Sequence, residues 1–301
     1  VQFVSEGSNP TGRVLDVLSF LAAHPTETFT LTEIARHLRL SNGSAHRVLT
    51  TMSKAQFLAR NDKHRTYSLG MALVAIGQAA VEKHRGIEVA RREIARLAVE
   101  LNVQCSANVV VDDDLLVVVK EGTPQSHKGL TRVGERRPLV PPLGMCHVAW
   151  GGELAIQSYV AKVAGHIGED RRRHLLNAFP LIRRRGYAIA AYGPSTRNAR
   201  EATVLPIGQL RDAAYWSAVY RLVRELSLEE IQIFNIREAG PDGISYLSAP
   251  VFSPTGAVSL QLVISGMPRT LSAAKIERYA DRLCAAAALI TSETHGRMPA
   301  P

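Results

Sequence analysis

Across residues 29–70 the apolar positions recur first with the period of a helix and then with that of a strand. Leu31, Ile34, Ala35 and Leu38 share one helical face, Thr30 and Glu33 stand in capping-box positions, and Phe29 and Ile34 are placed for a hydrophobic staple. Arg39 and Leu40 then form a tight turn into Ser41, a good N-cap, which starts a second helix. In that helix Ala45, Val48, Leu49 and Met52 point inward, so Asn42, Gly43, His46, Arg47 and Thr50 are left on the solvent side. Residues 57–61 and 65–69 read as two strands joined by Asp62, Lys63 and His64. Upstream, Val14, Val17, Leu18 and Leu21 recur at helical spacing and close a three-helix core.

Two helices with so short a turn between them form a helix-turn-helix unit, whose second helix enters the major groove of DNA. Arg47 and Asn42 are the side chains able to bond bidentately to guanine and adenine, while Ser44 and Thr50 reach phosphates or base edges. Gly43 and His46 share that outward face, and Thr30 and Thr32 at the start of the first helix join the candidate DNA contacts. Arg60, Lys63, His64 and Arg65 make the hairpin a basic wing suited to phosphate or a minor groove, and Arg13 is a further phosphate contact. Taken singly, each helix reads equally well as an ordinary core element. The joint pattern of cap, turn, two-faced helix and basic hairpin points to DNA.

Downstream, residues 71–85 read as a helix with Leu73, Ile76, Gly77 and Ala80 on one face, ending at Gly86. A further helix over 87–101 buries Ile94, Leu97, Ala98 and Leu101. The run NVVVDDDLLVVVK is a hairpin with aspartates at its tip; a metal site is disfavoured because consecutive strand positions face opposite ways. A proline-fixed loop then feeds a helix beginning near Leu143 or Gly144, and free amides at such a start suit a carboxylate or other anion. In ISYLSAPVF, Ile244, Tyr246 and Ser248 alternate with Ser245, Leu247 and Ala249. Tyr246 either bonds a ligand carbonyl or fills volume, and Asp242, Gly243 and Ser265 read as turn and strand-end residues or as ligand contacts. Further along, Leu210, Ala214, Ser217 and Arg221 share one helical face; Ala213, Trp216, Tyr220 and Val223 form a richer apolar one, which packs on the domain, lids a pocket or meets another subunit.

A chain of 301 residues is long enough for two domains. The formal charge of +9 favours polyanionic partners, although other basic proteins share that balance. Much of the basicity lies beyond residue 70, in the runs 171–173 and 183–185, which are solvated helix faces or further contacts to DNA or a subunit. Cys105, Cys146 and Cys284 are far apart and form no disulfide framework, as expected in a reducing cytoplasm. No apolar stretch is long enough to span a bilayer and no signal pattern starts the chain, so a soluble cytoplasmic protein with no membrane role is expected. Catalysis finds little support: Cys146 and His147 are adjacent, and helix neighbours diverge by about 100°. No HExxH, GxSxG or P-loop string occurs; no catalytic residue, metal or cofactor is expected.

The runs RVLDVLSFLAAHPTETFTLTEIARHLRLSNGSAHRVLTTM and FLARNDKHRTYSLG resemble the winged helix-turn-helix of the IclR family of bacterial transcriptional regulators, and IRRRGYAIA, ISYLSAPVFSPTGAV and VISGMPRTLS resemble its C-terminal domain. The resemblance implies an α/β (α+β) fold: a winged helix-turn-helix over 1–70, a linker helix over 71–86, and a GAF-like α/β effector-binding and oligomerisation domain over 87–301. It implies an effector pocket against Pro142, Leu143, Gly144, Met145 and Cys146, with Asp242, Tyr246, Ser248 and Ser265 on the other wall. Pro141 and Pro142 stand where the family has a small polar residue and alanine, and Met145 replaces a common lysine, so a less polar pocket is expected. The connection between Arg185 and Asp242 is longer than the family's. The implied function is a ligand-responsive repressor of catabolic genes, binding a palindromic double-stranded DNA operator as a homodimer or tetramer and answering to a small organic acid or hydrophobic metabolite. The alternative is a constitutive DNA-binding protein whose C-terminal domain only oligomerises.

Overall fold

The computed structural model describes residues 10–125, 131–195, 203–204, 212–236 and 243–299. Two compact units emerge, one ending at His84 and the other starting at Arg85.

The first unit contains α1 (Pro10–Ala23), β1 (Phe29–Thr30), α2 (Leu31–His37), α3 (Asn42–Lys54), β2 (Leu58–Asn61), β3 (Thr66–Leu69) and α4 (Ala72–Lys83). The capping box starts α2: the Thr30 N–H donates to Glu33 Oε2 at 2.8 Å and the Glu33 N–H to Thr30 Oγ1 at 3.4 Å. Those bonds from Thr30 hold the Glu33 carboxyl below its ordinary range. Ser41 caps α3 through the Ser44 N–H at 3.3 Å. Val17, Leu21, Ile34, Leu49, Met52 and Tyr67 form the core, and Phe29 packs against it with its ring 4.7 Å from that of Phe20. The small sheet runs β1-β3-β2, antiparallel throughout. Both wing strands are one residue shorter than their pattern predicts. The Phe57 N–H is used in the turn that closes α3, bonding to Met52 O at 2.9 Å, and Arg65 sits in the turn with a left-handed φ of 53°.

The break after α4 falls at His84 (φ −109°, ψ 66°), before Gly86 rather than at it. No residue of α4 is buried, although Val74 and Ile76 are among its side chains.

In the second unit follow α5 (Arg85–Leu101), β4 (Gln104–Val111), β5 (Asp114–Glu121), β6 (Arg136–Pro138), α6 (Met145–Val148), α7 (Gly152–Ala161), α8 (Glu169–Arg185), β7 (Ala188–Ala191), α9 (Ala213–Glu225), α10 (Leu228–Ile231), β8 (Ile244–Phe252), β9 (Val258–Ser265) and α11 (Ala273–Glu293). The sheet order is β6-β5-β4-β9-β8-β7, every neighbouring pair antiparallel. One face is apolar: Leu262, Ile264 and Leu247 pack with Ile94 and Leu97 of α5 and Leu283 of α11. A second core, including Met145, Tyr159, Phe179, Ile182, Val219 and Leu226, joins α6 to α10. The three aspartates end the β4–β5 hairpin as expected, with Asp113 bonded to Lys162 Nζ at 2.8 Å and Asp114 3.7 Å from Arg136.

The arginine runs of α8 are largely structural. Arg171 Nε donates to Leu226 O, Arg183 Nη1 to Ala149 O and Arg185 Nη1 to Ile233 O, each at 2.9 Å, while Arg172 and Arg173 pair with Glu169 and Asp170. In α9 the buried face is Val219, Leu222 and Val223, rotated from the predicted stripe; Ala213 is exposed, and Trp216 and Tyr220 are half-buried. The Tyr220 ring instead stacks on His166 with centroids 3.8 Å apart, and Leu226 carries the buried face onward. Leu210 lies outside the described residues.

The return of β3 towards the end of α3 leaves no room at Gly70, whose N–H donates to Phe57 O at 2.8 Å. A Cβ there would lie 2.2 Å from Gln56 O. Gly70→Ala is expected to destabilise the first unit by about 1 to 3 kcal/mol. Urea denaturation followed by circular dichroism measures this, and an unchanged midpoint would contradict the packing described.

Candidate functional site

The outward face of α3 carries Asn42, Gly43, His46 and Arg47, all exposed, with Thr50 half-exposed. At Gly43 a Cβ would meet nothing within 4 Å, so this face is open. Arg47 makes no ion pair with any described residue. Ser44 departs from its expected place: it is buried, and its hydroxyl accepts from Arg13 Nη1 at 2.6 Å. The i+3 step from its cap turns Ser44 towards α1, so Ser44 and Arg13 tie two helices together rather than standing free for phosphate. Thr30 is likewise occupied by its cap, while Thr32 is exposed with its hydroxyl 3.2 Å from that of Thr30.

The wing turn is set by Asn61, whose Oδ1 accepts from the Lys63 N–H at 3.1 Å and the His64 N–H at 3.2 Å. That bracing presents Lys63, His64 and Arg65 to solvent. Arg60 is less available, lying 3.3 Å from Asp62 and over the Tyr67 ring at 6.0 Å.

The second unit holds a cavity of about 210 Å³ against the face of its sheet opposite α5 and α11. Its floor is formed by Ser106 and Asn108 of β4, Gln261, Val263 and Ser265 of β9, and Tyr246 of β8. Val219, Leu222 and Val223 of α9 supply an apolar wall, and the loop at residues 140–144 supplies another. Of the sequence-predicted pocket residues, Pro142, Leu143, Gly144, Tyr246 and Ser265 line the cavity. Met145, Cys146 and Ser248 are buried and do not line it, and Asp242 lies outside the described residues.

One expectation changes. The helix start at Gly144 is no anion site of the kind anticipated, because α6 has only 4 residues and one turn sums little dipole. The prolines do make the loop wall apolar, while the floor carries polar side chains. Sequence reasoning missed Ser106, Asn108, Gln261, Arg137 and Glu230. Their signal was the alternation of Gln261 and Ser265 with Leu260, Leu262 and Ile264, which in isolation looks like a strand with one face in water. The charges in the lining are engaged: Arg137 Nη2 lies 3.5 Å from Glu135 Oε2, and Glu230 Oε2 accepts from the Ser227 N–H at 2.9 Å.

Cys146 is fully buried, and burial pushes its thiol well above the ordinary range, as it pushes Cys105 up to about 12. Burial also holds the neighbouring His147 down. Neither a thiolate nor a paired base is offered to solvent here.

Residues 11–62 match the family model of the IclR helix-turn-helix domain. That segment is a helix-turn-helix domain of the IclR type, and the chain as a whole is similar to IclR transcriptional regulators. Similarity extends well past the matched segment: the HTH-type transcriptional regulator KdgR of Escherichia coli K12 is 21% identical over 285 residues, covering 93% of this chain and 91% of that protein. An IclR regulator from Alicyclobacillus acidocaldarius shares the fold with a TM-score of 0.65 at 19% identity, over 95% of this chain and 98% of that one. An IclR homolog from Microbacterium hydrocarbonoxydans, solved with 4-hydroxybenzoate, gives 0.66 at 17% identity, over 95% and 99%. The IclR architecture of an N-terminal helix-turn-helix domain and a C-terminal α/β domain is therefore that of this chain.

The cavity's loop wall is anchored from behind by Tyr159, buried in the second core, whose hydroxyl donates to Leu143 O at 2.6 Å. Tyr159→Phe leaves that carbonyl without its donor and is expected to cost about 1 kcal/mol. Thermal denaturation tests this, and a variant as stable as the parent would show that the bond does not hold the loop.

Proposed function

We propose that this chain is an IclR-type regulator, a ligand-responsive repressor of catabolic genes that binds a palindromic DNA operator as a homodimer or dimer of dimers. The observation that carries the DNA reading is Arg47, in no ion pair with any described residue on the open face of α3, with Lys63, His64 and Arg65 presented by a braced wing in the same unit. Arg47 and Asn42 read bases; the wing cations hold phosphate. Ser44 and Arg13 support the reader from within instead of touching DNA.

A second copy is supported by α4 and the residue before it. Met71, Val74 and Ile76 are 76%, 61% and 52% exposed, an apolar surface whose cover a homodimer would supply. Two-fold symmetry then makes the operator a palindrome. The domain division that suits this reading has the reader in residues 1–70, a connecting helix up to about His84, and the effector and oligomerisation domain beyond it.

The cavity is the effector site, with Pro142, Leu143, Gly144, Tyr246 and Ser265 in contact with ligand. A fold neighbour that holds 4-hydroxybenzoate supports a small organic acid of that size. Control takes place in the cytoplasm, where regulator, operator and metabolite meet. Among the described residues, no helix is long and apolar enough to cross a membrane.

Footprinting the promoter of the chain's own gene locates the operator, and gel shifts with that fragment test the side chains. Arg47→Ala is expected to lose about 1 to 3 kcal/mol of operator affinity and to relax base preference. Lys63→Ala weakens all sequences alike and lowers the salt slope by about one. Operator affinity untouched by Arg47→Ala would overturn this placement of α3. Deleting the gene is expected to raise transcription from the footprinted promoter; a fall would reverse the sign of control.

A further inference from the structure

We propose that the cavity selects a small hydroxylated molecule, such as a hydroxylated organic acid or a short sugar, and that Asn108 and Gln261 are the residues that read its hydroxyls. This inference rests on the reading of the cavity as a ligand site.

The register of β4 with β9 sets Asn108 directly opposite Gln261. Both side chains line the cavity, so two carboxamides stand next to each other on its floor, about 5 Å apart at Cβ. Asn108 Oδ1 and Gln261 Oε1 are both out of contact with solvent and without a hydrogen-bond partner. Each such orphan is costly, and buried polar atoms in folded proteins are in the large majority paired. Gln261 is only 5% exposed, so bulk water does not relieve it. A matched pair on facing strands, where the sheet turns polar side chains into the interior, reads as a site awaiting its partner.

The chemistry of that partner follows from what two carboxamides can accept and donate. A carboxylate group by itself only accepts, so an acid meets the two amide oxygens only if it also carries hydroxyls. A hydroxyl both donates and accepts, so it pairs with a carboxamide whichever way round the amide lies. Ser106 and Ser265 extend the same polar strip, whereas Val219 and Leu222 opposite offer only apolar surface. The ligand therefore has hydroxyls along one edge and carbon along the other. A volume of about 210 Å³ holds one small molecule, or about seven waters.

The full-length protein is tested in two ways. Without ligand, Asn108→Leu and Gln261→Leu remove an orphaned acceptor each, and both are expected to raise the melting temperature; a fall in both would show that the carboxamides are already satisfied in the free protein and would overturn the proposal. With ligand, xylose, glycerate and 3,4-dihydroxybenzoate are compared by thermal shift and calorimetry with tetrahydropyran, propionate and benzoate, which lack the hydroxyls. At least one hydroxylated probe is expected to stabilise the protein where its partner does not, and to bind about tenfold more weakly to either Leu variant. Equal binding of both members of every pair, or binding by none, overturns it. If benzoate or propionate alone stabilises the protein and changes operator affinity, the cavity remains an effector site and only the hydroxyl reading fails. If no probe binds while the operator footprint persists, the DNA reading stands without it.

Discussion

The second unit depends on one constraint: its central strands must be apolar on one side and polar on the other while both sides are covered. In β9, Leu260, Leu262 and Ile264 pack into the core beneath α5 and α11, and Gln261, Val263 and Ser265 turn the other way. An antiparallel sheet usually gives its polar face to water. Here that face meets the cavity and the elements around it, so its polar atoms must be satisfied by the protein or by what enters. Gln104 meets part of the demand by donating to Ser265 Oγ at 3.2 Å, and its own Oε1 is left over. The strip of side chains is thus costly as architecture alone.

How much of this was legible in the chain follows the range of the interactions. Thr30, Glu33 and Ser41 act over three residues, so the caps of α2 and α3 could be read directly, and the structure contains both. The wing was legible except at its ends, because Phe57 serves the end of α3 before it serves a strand. Ser44 shows the limit of the same logic. Its type suits phosphate, yet the helix turns it inward to Arg13, 31 residues away in sequence, and nothing local announces that pairing.

The cavity lies at the other extreme. Its loop wall could be inferred from the prolines and Gly144, but its floor joins β4 to β9, more than 150 residues later in the chain, and a strand alternating Gln and Ser with Leu and Ile looks solvent-facing until its cover is known. The basic runs were ambiguous for a related reason. Arg171, Arg183 and Arg185 close carbonyls at the ends of other segments, so part of the net charge of +9 is structural stapling rather than a footprint for DNA. That leaves the cations of α3 and the wing, Arg47, Lys63, His64 and Arg65, as a smaller and better defined set of exposed charges.

A DNA reader and a cavity in one chain amount to a switch only if what binds at each changes the free energy of binding at the other. Linkage requires the change to be reciprocal: ligand alters operator affinity by the same factor as operator alters ligand affinity. The direct measurement is calorimetric titration of the stabilising hydroxylated compound into the full-length protein, with and without the footprinted operator, beside operator binding with and without that compound. Equal factors, in the range of about 5- to 150-fold, are expected for a ligand-responsive regulator. Two ligands that bind with no mutual effect would contradict it and leave a constitutive DNA-binding protein.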